Sequence, residues 1–317
     1  MTDRGVTAGP TTDPIPRDAT PRAARPVAVD DPADPRLADY RDLSDPAARR
    51  RVERERDIMV VEGRVAVRQL LASDHRIRSL LVDDHQVHSA GDLVGAALTR
   101  GTPVLVGTRD VVARTVGFAL HRGVVAVADR PGPLDSAELL ARAARAPRLG
   151  GGPPLVAVLE GLNDHENIGA LFRNAAAFGV GAVLLDPTCA DPLYRRSIRV
   201  SAGHVLHVPF ARLSPWPTAV ERIRAAGFLV AALTPGHAEG SGSGPDAVPV
   251  GRLASLVGDG TTGATGVALV IGAEGPGLSA ALVAEADVAV SIPMAAGVDS
   301  LNAATAAAIA FHRLAGS

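Results

Sequence analysis

Short apolar runs alternate with helical patterns through the first half of the chain. Strands are predicted at 58–61, 77–82, 104–106 and 124–127, and the segments between them carry apolar residues at helical spacing, as at Val67, Leu70 and Leu71. Strands that alternate with helices in this way form mostly parallel sheets layered with helices. The pattern predicts a small α/β unit over 41–130, which begins with a charge-dense helix between Leu43 and Arg56.

A second series of strands and helices fills the C-terminal half. Its predicted strands lie at 155–159, 182–185, 205–208, 228–233, 267–271 and 288–292, and its last helix at 301–314. Between the two series, residues 131–153 contain a short helical pattern and end in a glycine run, which is typical of a linker. We therefore expect a separate α/β domain over 154–317.

Two segments show no periodicity. Residues 1–40 are rich in Pro, Thr, Asp and Arg, and residues 236–244 are mostly Gly and Ser. Such segments bury too little apolar surface to offset the entropy of ordering them. The pattern predicts a flexible N-terminal tail over 1–40 and an exposed, mobile loop at 236–244.

Composition narrows the class of protein. A chain of 317 residues exceeds what one core usually fills, and it contains no apolar run of about 18 residues that would span a membrane. The single cysteine, Cys189, excludes a disulfide framework, and the adjacent His165 and Glu166 lack the spacing of a metal motif. The first residues also lack the features of a secretory signal. We expect a cytoplasmic protein without a metal.

The charge balance bears on nucleic-acid binding. The net charge of −2 argues against indiscriminate binding to nucleic acid. Every basic side chain except histidine is an arginine, since the sequence contains no lysine, and GC-rich codon usage is a sufficient explanation. Each of these cations can nevertheless form a planar, bidentate contact with phosphate.

The first of three chemically informative stretches is 163–174, which follows an apolar strand and opens a helix. A helix N-terminus suits an anionic group. Arg173 lies among apolar residues of this helix, and a buried arginine needs a partner because an unpaired buried charge is costly. Two interpretations stay open: a functional cation, or a structural salt bridge to Asp164 or Glu274.

The second stretch, 270–279, is a glycine-rich turn after another apolar strand. A dinucleotide fingerprint that began at Gly272 would need glycine at its third position, where the chain has Glu274. The absence of lysine also excludes a phosphate-binding P-loop. An acid in this turn repels a pyrophosphate and suits a hydroxyl, an amine or an arginine.

The third stretch comprises Ser291 to Met294 and residues 299–302, which open an Ala-rich helix. Taken alone, Ser300 is an ordinary helix N-cap. All three stretches lie at the carboxyl ends of predicted strands. Open α/β sheets bind ligands at that edge, so we expect the three stretches to form one site.

In combination, these stretches resemble motifs of the SPOUT methyltransferases, specifically the SpoU/TrmH-like 2′-O-ribose branch. Residues 167–173 resemble its Asn-x-Gly-Ala-x-x-Arg motif, 272–277 its Gly-x-Glu-Gly-x-Gly motif, 292–294 with 300–302 its Ile-Pro-Met and Ser-Leu-Asn motif, and 194–203 its Arg-x-Ser-x-Gly stretch. The resemblance covers 155–314. Residues 58–130 are similar to the L30e-like RNA-binding domain that many members carry.

The resemblance implies a SPOUT-like catalytic domain with a C-terminal trefoil knot around a mostly parallel sheet, and a small α/β L30e-like N-terminal domain. It also implies S-adenosyl-L-methionine as cofactor and a homodimer whose active site draws on both subunits, with the final helix, 301–314, as the candidate interface. The substrate it implies is structured RNA, and the appended domain favours ribosomal RNA over tRNA.

The same resemblance assigns roles to residues. Arg173 is expected to hold the target phosphate and stabilise the developing oxyanion, with Asn167 and Glu274 fixing the geometry. The expected cofactor contacts are Leu233, Thr234, Pro235, Gly272, Glu274, Gly275, Ile292, Met294, Ser300, Leu301 and Asn302. RNA contacts are expected from Arg173, Arg195, Arg196 and Arg199, although a solvated helix face explains the last three equally well.

The motifs also depart from the family pattern. Asp164-His165 stands where Asp-Pro is common, and Asn302-Ala303-Ala304 replaces a segment that often contains serine. Two other classes of protein are disfavoured by the sequence. The broken glycine register disfavours a nucleotide-cofactor oxidoreductase. Intact Asn167, Arg173, Glu274 and Asn302 disfavour an RNA-binding protein that has lost catalysis.

Overall fold

The computed structural model describes residues 25–41, 43–118, 120, 123–146, 149–235, 247–258, 262–295, 297–298 and 300–315. Its strands form one sheet of five and one of seven, each layered with helices. No helix within these ranges is long and apolar enough to cross a membrane. The two sheets define an N-terminal unit and a C-terminal unit joined by the segment after residue 129.

The N-terminal unit is a mixed sheet. Its elements are β1 Val27–Val29, α1 Pro46–Glu55, β2 Ile58–Glu62, α2 Arg64–Leu71, β3 Ile77–Asp83, α3 Gly91–Thr99, β4 Val104–Gly107, α4 Arg109–Val116 and β5 Val124–Asp129. The strand order is β1-β4-β3-β5-β2, in which β5 runs antiparallel to both of its neighbours. The four predicted strands are confirmed, but the mostly parallel arrangement is wrong here, because apolar runs do not encode strand direction.

The predicted flexible tail is wrong for its last part. Val27–Val29 pairs with β4, and a 3₁₀ helix at Pro35–Tyr40 buries Leu37 and Tyr40 completely. The Tyr40 hydroxyl lies 2.7 Å from Ser79 Oγ. A three-residue strand and two anchoring side chains are too sparse to produce periodicity, so the sequence pattern missed them. Residues 1–24 of the predicted tail lie outside the described residues.

The C-terminal unit is built on a parallel sheet. After α5 Ser136–Arg145 come β6 Leu155–Glu160, α6 His165–Ala177, β7 Ala182–Leu185, α7 Arg195–Val200, β8 Phe210–Arg212, α8 Val220–Ala225, β9 Phe228–Leu233, β10 Val248–Pro249, α9 Leu253–Gly258, β11 Gly266–Gly272, α10 Ala280–Glu285, β12 Val288–Ser291 and α11 Ala303–Leu314. The order is β10-β12-β9-β11-β6-β7-β8, with every pair parallel. The carboxyl ends of β12, β9, β11 and β6 are therefore adjacent.

One strand prediction in this unit is wrong. His204–Leu206 is a 3₁₀ helix, and the strand lies further on at β8. Val205 and Leu206 are buried, so the apolar run correctly indicated burial while its backbone conformation is helical. The short strand β10 was not predicted, and the loop predicted to be mobile at 236–244 lies outside the described residues.

The two units pack against each other and share one hydrophobic core. Met59 and Val61 of β2 belong to the same buried cluster as Leu155 and Ile198 of the C-terminal unit. Ion pairs border this contact: Arg130 lies 2.5 Å from Asp191, and Arg195 lies 3.2 Å from Glu62. The N-terminal unit is therefore held in a fixed position beside α7.

Candidate active site

A pocket of about 430 Å³ opens at the carboxyl ends of β9, β11 and β12. Its size falls in the range of small-molecule sites, roughly 300–1,000 Å³. All eleven residues expected to contact the cofactor line it, namely Leu233, Thr234, Pro235, Gly272, Glu274, Gly275, Ile292, Met294, Ser300, Leu301 and Asn302. The structure thus brings residues 233–235 together with the second and third stretches around one cavity.

Five further residues line the pocket that were not predicted from the sequence: Ile271, Ala273, Gly277, Ala303 and Ala306. The first three lie within the glycine-rich turn at 270–279, so the whole turn, and not selected residues of it, should have been predicted to line the pocket. The last two are one turn apart on α11, immediately after Asn302. Helical spacing from the third stretch could have found them.

Hydrogen bonds among three side chains join the three stretches. Asn167 Nδ2 donates to Glu274 Oε1 at 3.1 Å. Asn302 Nδ2 donates to the same carboxylate oxygen and, at 2.8 Å, to Asn167 Oδ1. The backbone N–H of Ala303 also reaches Glu274 Oε1, at 3.4 Å. Glu274 therefore ties α6 and α11 to the glycine turn.

Asn302 has a second task as the N-cap of α11. Its Oδ1 accepts the backbone N–H of Thr305 at 3.1 Å, which satisfies one of the free donors at the helix start. With its oxygen on the helix and its nitrogen on Glu274, the amide is fixed in one orientation. Ser300, the cap considered from the sequence, lies instead in the pocket wall.

The start of α6 is already capped from within the chain. The Asp164 carboxylate accepts the backbone N–H groups of Glu166 at 3.2 Å and of Asn167 at 3.3 Å. The anionic partner suggested by this helix N-terminus is therefore Asp164 itself. At Gly169, an added Cβ would come within 2.7 Å of Ser197 O and Val200 Cβ, so the close approach that this glycine permits is made by α7.

Arg173 is exposed on α6, contrary to the burial expected from its apolar neighbours. Within the described part of the chain it forms neither a hydrogen bond nor a salt bridge, so the structural pairing with Asp164 or Glu274 is not present. Burial lowers the pKa of His204, and the positive charge of Arg173 contributes to that shift. Arg173 is thus an available cation that lies outside its own chain's pocket wall.

The other three arginines have different surroundings. Arg195 lies 3.2 Å from Glu62 and over the Phe118 ring, 4.4 Å from the ring centroid, and its burial lowers its pKa. Arg196 pairs with Glu166 at 2.5 Å, and Arg199 approaches Glu62 at 3.9 Å. The side chains of Arg196 and Arg199 are each about half exposed, while Arg195 faces the N-terminal unit.

A buried carboxylate at the end of β6 forms hydrogen bonds with the residue that ends the glycine turn. Glu160, at the end of β6, accepts hydrogen bonds from Trp216 Nε1 at 2.7 Å and from both the N–H and the hydroxyl of Ser279 at 2.8 Å. Ser279 is the N-cap of α10, so Glu160 fixes the end of the turn that Gly272 begins. Glu160 was not predicted from the sequence, although an acid at the end of an apolar strand could have indicated a buried carboxylate near the site.

One group of potential metal ligands occurs among the described residues, away from this pocket. Asp83, Asp84 and His85 place ligand atoms within 4.8 Å of one another at the end of β3. The Asp83 carboxylate already accepts the backbone N–H of His85 at 3.0 Å and lies 3.4 Å from Arg109. These contacts show that the Asp83 carboxylate caps the turn that follows the carboxyl end of β3.

Gly272→Ala is expected to disrupt the turn and weaken ligand binding. An alanine Cβ would lie 2.6 Å from Gly277 O and from Leu278 N, which are backbone atoms that cannot rotate away. Overpacking of this kind costs roughly 1–3 kcal/mol, so the melting temperature should fall by several degrees. Gly251→Ala is the control, because nothing lies within 4 Å of its added Cβ. Equal melting temperatures for the two variants would contradict the geometry of the turn.

Comparison with known proteins defines the class. Residues 154–312 match the SpoU rRNA Methylase family, and residues 60–134 match the domain described as RNA 2′-O ribose methyltransferase substrate binding. A protein of Mycobacterium tuberculosis named as an uncharacterised tRNA/rRNA methyltransferase is 42% identical over 286 residues, 90% of each chain. The chain therefore belongs to the SpoU rRNA methylase family and is an RNA methyltransferase.

Solved structures confirm the expected fold class. The AdoMet-bound rRNA methyltransferase of Sinorhizobium meliloti superposes with a TM-score of 0.67 at 23% identity, over 91% of this chain and 97% of that one. The AdoMet complex of the SpoU methyltransferase AviRb from Streptomyces viridochromogenes gives a TM-score of 0.65 at 24% identity, over 89% and 97%. The α/β fold with its parallel seven-stranded sheet is that of the SPOUT methyltransferases.

Proposed function

We propose that this protein transfers a methyl group from S-adenosylmethionine to a ribose 2′-hydroxyl of structured RNA, with ribosomal RNA favoured over tRNA. The observation that carries the proposal is the hydrogen-bonded junction of Asn167, Glu274 and Asn302, which joins three stretches of family sequence beside the pocket that Glu274 and Asn302 line. The N-terminal match to a substrate-binding domain of 2′-O-ribose methyltransferases supports the ribose as target. The favoured RNA class rests on that appended domain alone.

The pocket wall suits this methyl donor chemically. Its one charged residue among those described is Glu274, and it contains no arginine. A cationic sulfonium is attracted to such a wall, whereas the phosphates of a dinucleotide find no positive partner. Leu233, Ile292, Met294 and Leu301 supply apolar surface for an adenine ring, and the backbone of the glycine turn supplies polar groups.

In this proposal the chain aligns the reactants and stabilises charge. Bound S-adenosylmethionine supplies an electrophilic methyl group, and the residues around it exclude water and hold one orientation. A ribose hydroxyl is a poor nucleophile, so charge developing on its oxygen must be stabilised. Arginine is always protonated, so Arg173 binds the target phosphate and stabilises that oxygen, while the proton leaves to water.

A homodimer is part of the proposal, as is a cytoplasmic location. Arg173 is exposed and does not line the pocket of its own chain, which fits an active site shared between subunits. The candidate interface on α11 is narrower than expected, because Ala303, Ala307 and Phe311 are buried within the chain. The remaining apolar positions on that helix are Ala306, Ala308 and Ile309, which are partly exposed.

Titration calorimetry should show binding of S-adenosylmethionine and none of NAD. The acid in the glycine turn and the absence of an arginine among the described residues of the pocket wall are the physical reasons. S-adenosylhomocysteine, which lacks the sulfonium charge, is a useful control that should also bind through the apolar wall. Tight binding of NAD with no heat from the methyl donor would contradict the proposal.

A further inference from the structure

The start of α6 is held from outside the pocket by a stack of three side chains. The His165 imidazole packs on the Tyr194 ring, with centroids 4.1 Å apart and planes inclined by 39°. The guanidinium of Arg49 also lies over the Tyr194 ring, 4.3 Å from its centroid. Arg49 belongs to α1 of the N-terminal unit, Tyr194 precedes α7, and His165 is the first residue of α6. The stack therefore links the N-terminal unit to the first catalytic stretch.

The N-terminal end of this stack is fixed firmly. Arg49 is 3% exposed, and its Nη1 donates to the carbonyl of Leu43 at 3.2 Å. Its Nε lies 3.7 Å from the Glu53 carboxylate, whose pKa is raised by burial to about 7. Moving the Arg49 side chain would break these contacts and leave a buried charge unpaired, which is costly in free energy. Cation–π contacts are strongest in desolvated sites, and Arg49 is buried, so this contact restrains the Tyr194 ring.

The other end of the stack sets the position of Asn167, which is hydrogen-bonded to the pocket residue Glu274. His165 is two positions before Asn167, whose amide donates to Glu274. Asp164 caps the N–H groups of Glu166 and Asn167 but not that of His165, so the His165 ring is the main side-chain contact at the first helical position. Burial lowers the pKa of His165, against the opposing effect of the nearby Asp191 and Asp164 carboxylates, and so favours the neutral imidazole.

We propose that His165 and Tyr194 are positioning residues through which Arg49 of the N-terminal unit holds the first turn of α6, and with it the Asn167 amide, in register with Glu274. Helix ends fray unless they are tied down. The stack restrains this end, so the substrate-binding unit helps to keep the pocket ready for its ligand. The role in donor binding rests on the proposed function, whereas the restraint on α6 does not.

Tyr194→Ala tests the stack without removing a hydrogen bond. Tyr194 precedes α7 without a side-chain cap bond. We expect amide hydrogen exchange at Glu166 and Asn167 to quicken about tenfold, and the dissociation constant of the methyl donor to rise about fivefold, the equivalent of one aromatic contact. Tyr194→Phe keeps the ring and should restore wild-type values for both.

His165→Pro supplies the restraint by another route. Proline is favoured at the first helical position, where its fixed φ suits the helix and its missing N–H costs nothing. Asp164 has φ −85° and ψ 123°, the extended conformation required before proline. In the His165→Pro background, Tyr194→Ala should therefore no longer change amide exchange or donor affinity.

Phe178→Ala is the matched control, because Phe178 contacts the His312 ring, 5.8 Å away, at the opposite end of α6. It should lower thermal stability without changing exchange at Glu166 and Asn167. The inference is overturned if Tyr194→Ala leaves exchange unchanged, or if its effect persists in the His165→Pro background. If the wild-type protein binds no methyl donor, the proposed function fails, while the exchange measurements still decide the role of the stack.

Discussion

Arg173→Ala is expected to slow methyl transfer to RNA by about 100-fold or more, the usual cost of removing a group that stabilises an oxyanion. Affinity for the methyl donor should stay unchanged, because Arg173 is outside the pocket wall of its chain. An interaction made mainly in the transition state lowers turnover and leaves ground-state binding intact. Single-turnover rates and calorimetry on the same preparation measure both quantities.

Two further measurements separate this role from a structural one. Arg173 is exposed and has no salt bridge in the described structure, so the alanine variant should melt within about 2 °C of the wild type. Arg173→Lys should remain slow, because lysine keeps the charge and loses the planar fork that spans phosphate and hydroxyl. A variant that melts early and turns over normally at low temperature would show that the arginine is structural.

Glu274→Ala is expected to weaken donor binding by about tenfold or more and to reduce turnover further. One oxygen of this carboxylate accepts hydrogen bonds from Asn167, Asn302 and Ala303, so its loss frees both helices from the glycine turn. Losing even one net hydrogen bond to a charged group costs about a factor of ten in an equilibrium. Calorimetric titration of the methyl donor measures the effect.

Two control variants separate the effect of the Glu274 hydrogen bonds from the effect of its charge. Glu274→Gln can keep an accepting oxygen at the position of Oε1 but loses the negative charge, so it should have an intermediate effect. Glu285→Ala removes the same charge from α10, where the carboxylate lies near Arg224 at the surface, and should leave donor affinity unchanged. Equal losses from Glu274→Ala and Glu285→Ala would mean that overall charge, and not the hydrogen-bonded junction, governs binding.

The site was more predictable than parts of the fold around it. Parallel strands bring their carboxyl ends to one edge, which is why the three stretches were expected to form one site, and the eleven cofactor contacts that the family resemblance implied all line the pocket. The three residues Asn167, Glu274 and Asn302 were each predicted to belong to the site, but the hydrogen bonds that join them were not. Asn167 and Glu274 were expected to fix the geometry of the site, and the structure joins them to each other and to Asn302 by hydrogen bonds.

The failures have a common physical cause. Apolar patterning reports burial, and it does not report backbone conformation or long-range pairing. It placed a strand at 205–208, where a buried 3₁₀ helix lies, and it missed β1, whose pairing partner β4 is far along the chain. It also suggested burial for Arg173, because the apolar neighbours of an exposed helix position face the other way. Contacts between the two units, such as Arg49 with Tyr194, leave no local trace in the sequence.

The central claim is methylation of a ribose 2′-hydroxyl, and mapping of ribose methylation in total RNA with and without the gene tests it most directly. The account predicts one or a few positions, in ribosomal RNA, that lose 2′-O-methylation when the gene is deleted and regain it with the wild-type gene but not with Arg173→Ala. Identical ribose-methylation maps in the two strains, with a base methylation lost instead, would contradict it.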